Sequence, residues 1–207
     1  MEILQRRRDV PSETDLLNEA LITIGALRIT AIDDGSINAT HCQTLYPTTR
    51  DALLRMHHWN FATGRALLNP SVDAPLFEYS FAYPLPADYL KMREFNGTPV
   101  TADHVTWEGR WTSRYVVESG SLLTNDSPVY ILYTKRVIDP NIFDALFYQL
   151  LMTWMASKLA NAIPKDNKKA GDLLSMAMNL LLPAALATDR QEGTVVPLIS
   201  DSLTWGR

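Results

Sequence analysis

Six of the chain's twelve prolines fall between residues 62 and 135, at positions 70, 75, 84, 86, 99 and 128. Proline lacks a backbone N–H, and its ring collides with the carbonyl four residues earlier, so no long helix forms across that stretch. Aromatic and β-branched residues cluster there instead, in FEYSFAYPLP, YLKMREFNG, HVTWEGRWTS, RYVVESG and VYILYTKRV. Separated by the turn signals NGTP, ESGS and TNDSP, these runs predict short strands in an antiparallel meander or small sandwich.

Helical spacing returns on either side. Ser12 with Asp15 three residues later resembles a capping box, and Leu16, Leu17, Ala20, Leu21 and Ile24 follow at helical intervals up to Gly25. Asp33-Asp34-Gly35-Ser36 is turn chemistry, with Ser36 placed to cap a second helix from about Ile37 to Tyr46. Pro47 is expected to interrupt that helix, which restarts at Thr48 or Thr49 with Ala52, Leu53 and Met56 on one face. Asp139 before Pro140 is a start signal for a helix to about Ala162, and a last helix is expected from about Asn167 to Leu182. Periodicity fades after Leu186. The expected fold is therefore α+β. Residues 1–61 and 136–187 form a bundle of about four helices, 62–135 an inserted antiparallel β region, and 188–207 an extended tail.

An apolar fraction of 46%, a charged fraction of 20% and a net charge of −4 suit a folded soluble chain with no global pull towards nucleic acid. The run Arg6, Arg7, Arg8, flanked by Glu2 and Asp9, reads as a solvated terminus, with a nucleic-acid arm or an interface clamp as alternatives. Cys42 is the single cysteine, so no internal disulfide forms, and His41 beside it has no second cysteine to complete a zinc spacing. No apolar leader follows Met1. Residues 142–163 are apolar and long enough to span a bilayer, but they hold Asp144, Gln149, Lys158 and Asn161, which favours a buried helix.

Chemistry-bearing patterns are sparse. His57 and His58 are adjacent, about 100° apart around a helix axis, where two metal ligands from one helix would sit at i and i+4. His104 is isolated, Ser119-Gly120-Ser121 lacks a nucleophile elbow, and no glycine-rich phosphate loop occurs. Asp33 and Asp34 read as a capping turn, and Glu78, Asp88, Glu94 and Glu108 are scattered. The expectation is a protein that is not an enzyme and carries no cofactor and no metal.

Apolar surplus is the stronger signal. Ile142, Phe143, Leu146, Phe147, Leu150, Leu151, Trp154, Met155 and Leu159 cover more than half the circumference of their helix. Such a helix is either central in a bundle or covered by another subunit. Met176 and Met178 raise the same question for the last helix. Val195, Val196, Leu198, Ile199, Leu203, Trp205 and Arg207 make a tail too apolar to stay solvated, and docking on a partner is expected.

Several blocks carry a family resemblance. ALITIGALRITAIDDGSINATHCQTLYPTTRDALLRMHHWNFATGRALL resembles the N-terminal half of the head-to-tail adaptor proteins of short-tailed bacteriophages, also called tail tubular protein A. FAYPLPADYLKM is similar to that family's aromatic-Leu-Pro-x-Asp-aromatic-Leu block. VVESGSLLTNDSPVYILYTKRVIDPNIFDALFYQLLMTWMASKLANAI is similar to its E-G-x-L-x-T-D, strand and helix block, except that Asn125 intervenes between Thr124 and Asp126. The blocks span roughly residues 17 to 163 in order.

The resemblance implies a structural virion protein, made in the host cytoplasm and placed in the neck of the particle. Its copies would form a ring of about twelve beneath the portal protein. The tail nozzle protein would dock below, and DNA would pass through a lumen expected to be neutral or acidic. Arg50, Asp51 and Arg65 would then make structural or inter-subunit pairs, Phe143, Phe147, Leu151, Trp154 and Met155 bundle or inter-subunit contacts, and the tail from Val195 to Arg207 the portal contact. The alternative is a soluble helical binding module, a chaperone or regulator, acting as a small oligomer.

Overall fold

A computed structural model describes residues 11–73, 75–100 and 114–192. The fold is α+β, with helices before and after a block of antiparallel strands. The expected strand at HVTWEGRWTS, with His104 and Glu108, lies outside the described residues, as does the tail from residue 193 onward.

Helix α1 (Glu13–Thr23) starts with the expected capping box: Asp15 N–H donates to Ser12 Oγ, and Ser12 N–H donates back to Asp15 Oδ2 at 2.9 Å. It ends at Gly25, whose φ of +76° lets the Gly25 and Ala26 N–H groups reach back to the carbonyls of Ile22 and Leu21. Helix α2 (Ile37–Met56) corrects the expected break, because it runs through Pro47 without interruption. Cys42, Tyr46, Thr49, Leu53 and Leu54 form one buried stripe on both sides of that proline, while the Pro47 ring faces solvent. Burial of that stripe outweighs the single hydrogen bond forgone at the Gln43 carbonyl.

The start signal at Asp139-Pro140 is also displaced. Asp139 caps only a 3-10 turn, Pro140–Ile142, and the long helix α3 (Ala145–Ala162) begins later. Asp144 is its cap, accepting from the N–H groups of Leu146 at 2.8 Å and Phe147 at 3.3 Å. The last helix is longer than expected. Helix α4 (Asn167–Met176), a π-helical turn (Ala177–Leu181) and helix α5 (Leu182–Glu192) form one rod of 26 residues. Residues 188–192, expected to open an extended tail, are its final turns. The π turn lies just before Pro183, where a normal turn would press that ring against the Asn179 carbonyl; one wider turn relieves the clash.

Helix α3 is the hub: α1, α2 and the last helix each pack on it. Its Phe147, Leu150, Leu151, Met155, Ala156, Leu159 and Ala160 are all buried within the single chain. The described strands make two sheets. The first has the order β1 (Thr63–Leu68), β7 (Val129–Lys135), β3 (Tyr89–Phe95), β4 (Thr98–Pro99), and the second β2 (Phe81–Pro84), β6 (Ser121–Thr124), β5 (Tyr115–Glu118). Every pairing is antiparallel. Alternation along β7 turns Val129, Ile131 and Tyr133 inward, where they meet Tyr83 and Leu122 of the second sheet and close a separate small core. The first sheet is anchored to α2: Arg55 donates to the Leu90 carbonyl, and Arg136 Nε donates to Asp51 Oδ2 at 2.7 Å.

Candidate functional site

The double histidine sits where α2 ends. His57 is the C-terminal cap, with extended backbone at φ −138°, so neither imidazole projects from a regular helix. His57 Nε2 lies 3.2 Å from Asp189 Oδ2, and Asn60 N–H donates to Asp189 Oδ1 at 2.9 Å. Asn60 Nδ2 donates to the Asp189 carbonyl at 2.5 Å. Asp189 is buried, on the last turn of α5. Three groups at the bundle–sandwich junction thus clamp the end of the last helix. Burial holds the His57 imidazole below its ordinary pKa, against the pull of the Asp189 carboxylate. His58 is pushed down to about 4, first by burial and then by the nearby Arg93 and Lys91, and its Nε2 is buried with no hydrogen-bond partner among the described residues. Trp59 is fully buried, donates to the Leu53 carbonyl at 3.1 Å, and meets Phe147 edge-on. Among the described residues, no three histidine, cysteine or acidic side chains gather in a metal-binding group. The arrangement builds a joint.

The positively charged candidates part company. Arg50 is buried, donates from Nε and Nη2 to Asp51 Oδ1 at 3.0 and 2.9 Å, and lies over the Tyr46 ring. Asp51 joins it to Arg136, so the Arg50–Asp51 pair is an intrachain tie between bundle and sandwich. Arg65 is not part of it: it stands exposed on β1, beside Glu94 and Tyr130, with no ion pair among the described residues. Phe143, Phe147, Leu151 and Met155 are buried bundle contacts. Trp154 packs on the edge of that core under the Lys158 ammonium, 5.0 Å from its ring.

Part of the uncovered apolar surface lies on the last helix. Its Ala177, Leu181, Ala185 and Asp189 face the bundle, while Leu174, Met176 and Leu180 are 41%, 43% and 63% exposed. This rod is long and apolar enough to cross a membrane by length and composition. Its buried row seats it on α3, and Asp189 ties its end to His57 and Asn60. A second exposed apolar group, Ile22, Leu27 and Ile37, lies around the turn between α1 and α2. The proposed tail contacts, Val195, Val196, Leu198, Ile199, Leu203, Trp205 and Arg207, lie outside the described residues.

Sequence reasoning missed Asp189, which it placed in the tail. A signal was present: Ala177, Leu181, Ala185 and Asp189 recur every four residues, straight through Pro183. Comparison with known proteins finds no matching family model and no matching curated protein.

Proposed function

We propose that this chain is a structural ring subunit: the head-to-tail adaptor of a short-tailed phage, seated between portal and tail nozzle, performing no catalysis. The ordered sequence blocks from residue 17 to 163 suggest the family. The observation that carries the reading is the exposed pair Met176 and Leu180, one turn apart on a helix whose inner side is already clamped to a closed core. A second exposed apolar group at Ile22, Leu27 and Ile37 supports a head-to-tail contact, in which one surface meets a different surface of the next copy. Such contacts close into a ring when their rotation permits, and the acidic net charge of −4 suits a lumen that lets DNA slide.

The test is to mix the full chain with its cognate portal protein and image the product. A closed ring of this chain beneath the portal is expected, and a stable dimer that ignores the portal favours the chaperone or regulator reading instead. Portal attachment is assigned to the tail. Deleting residues 193–207 should weaken it while sparing the Asp189 clamp, and undiminished attachment would reject that assignment.

A further inference from the structure

The loop between β1 and β2 holds large apolar side chains in solvent: Leu76 is 97% and Phe77 74% exposed, with Val72 beside them. With Leu123 of the second sheet, Leu76 and Phe77 wall a cleft of about 390 Å³. Asp73, Glu78 and Glu118 also line it, and among the described residues no lysine, arginine or histidine does. Among the described residues, none of these three carboxylates makes an ion pair. The end of the loop nearest β2 is held in place. Asn125, the residue that departs from the resembled block, accepts from Ser80 N–H at 2.7 Å and Ser80 Oγ at 2.9 Å, and its amide reaches the Glu78 carbonyl. Glu78 itself is kept at φ +66°, which a side chain rarely adopts unless its surroundings impose it. A fixed cleft with apolar walls and unneutralised carboxylates calls for an apolar segment followed by cations.

One stretch of this chain has that chemistry: MEILQRRRDV, residues 1–10. We propose that the cleft receives this segment from a second copy, with Ile3 and Leu4 on Leu76 and Phe77 and the guanidinium groups of Arg6, Arg7 and Arg8 at the three carboxylates. Reach argues for a second copy. The segment leads into α1, which packs on α3; the cleft belongs to the second sheet, which packs on the first, which in turn meets α2. The segment enters the described chain at Pro11, beside Pro140 and Phe143 of the bundle, whereas the cleft borders the separate small core of the sandwich. Arg6 to Arg8 lie within roughly 18 Å of Pro11 even when fully extended. Arm into neighbouring cleft is a head-to-tail contact, so the inference rests on the ring reading only in taking sister copies as neighbours.

The test uses the full chain lacking residues 1–10 as receptor and a labelled peptide of residues 1–10 as probe, read by fluorescence anisotropy. Saturable, salt-weakened binding is expected. Leu76→Ser with Phe77→Ser should weaken it by roughly tenfold or more, as for a buried anchor in an interface. Glu78→Lys with Glu118→Lys should also weaken it, and a peptide carrying glutamate at positions 6, 7 and 8 should recover binding to that variant. Unchanged affinity for the serine variant, or no recovery by the reversed peptide, overturns the proposal. So does an intact chain that stays closed to the peptide at any dilution without self-associating, since its own arm would then fill the cleft. A portal-bound ring that forms with these arms deleted, together with a peptide that does not bind, sinks this inference alone. Peptide binding without any ring sinks the adaptor reading alone.

Discussion

Replacing Asp189 by alanine tests whether the last helix is clamped at the junction. The side chain is 6% exposed and accepts from Asn60 N–H at 2.9 Å, with His57 Nε2 3.2 Å away. Bonds to a charged group contribute about 1.5 kcal/mol or more each, so the two total about 3 kcal/mol. Removing a buried charge gives part of that back, leaving a net loss of about 2 kcal/mol. For a chain of this size the melting temperature should fall by about 4–8 °C. The variant also has an electrostatic signature. His57 already titrates below its ordinary value because burial outweighs Asp189, so losing the carboxylate should lower it further. Below about pH 6.5 the unfolded state then binds more protons than the folded one, and the stability gap between wild type and variant widens as the pH falls. Urea unfolding at two pH values and a histidine titration by NMR read both effects, while hydrogen exchange should show protection lost over residues 182–192 and kept over 145–162. A loss under about 0.5 kcal/mol, within the range of ordinary surface changes, would refute the clamp, as would an upward shift of His57.

Gly64→Ala should destabilise by about 1–3 kcal/mol through overpacking, because an added Cβ would lie 2.6 Å from the Tyr133 ring, whose hydroxyl is tied to Asp88; thermal unfolding measures it. Pro47→Ala should stabilise the protein by about 1–3 kcal/mol, since the ring is exposed and the new N–H can reach the Gln43 carbonyl; a lower midpoint in urea would contradict that account of α2. His58→Gln should flatten the acid limb of the stability profile. The folded imidazole titrates at about 4 and the unfolded one near 6.5, so stability rises with pH between those values. That contribution is about 1–2 kcal/mol once discounted for partial exposure.

Local chemistry made the element types legible where two signals agreed. Ser12 with Asp15 named both the start of α1 and its capping bonds, and the crowding of prolines between Pro70 and Pro128 told strands from helices. Single punctuating residues misled. Pro47 and Pro183 look like stops, yet each lies in a helix whose buried stripe continues on both sides, and tertiary burial outweighs one lost hydrogen bond. Asp139 and Asp144 are both good caps five residues apart, and only the packing of Phe143 into the core decides which one starts the long helix. The junction was illegible for another reason. Asp189 and His57 are 132 residues apart, and nothing local to either names the other.

Apolar surplus in a sequence does not say which surface is left over. Helix α3 has the oiliest circumference, and taken alone it looks most in need of a partner. Because α1, α2 and the last helix all pack on it, that demand is met inside the chain. A helix that covers another turns one stripe inward and leaves its flanks in solvent, so the unmet demand moves one layer out, to Met176 and Leu180 beside the buried row. Clamping at Asp189 fixes which face that is, for the rod cannot roll about its axis without breaking the bonds to His57 and Asn60. On the ring reading, substitutions that test association through the bundle therefore belong on the last helix rather than on α3. Leu180→Ser should change association while leaving the fold intact, whereas Phe147→Ser should unfold the core before any partner is met.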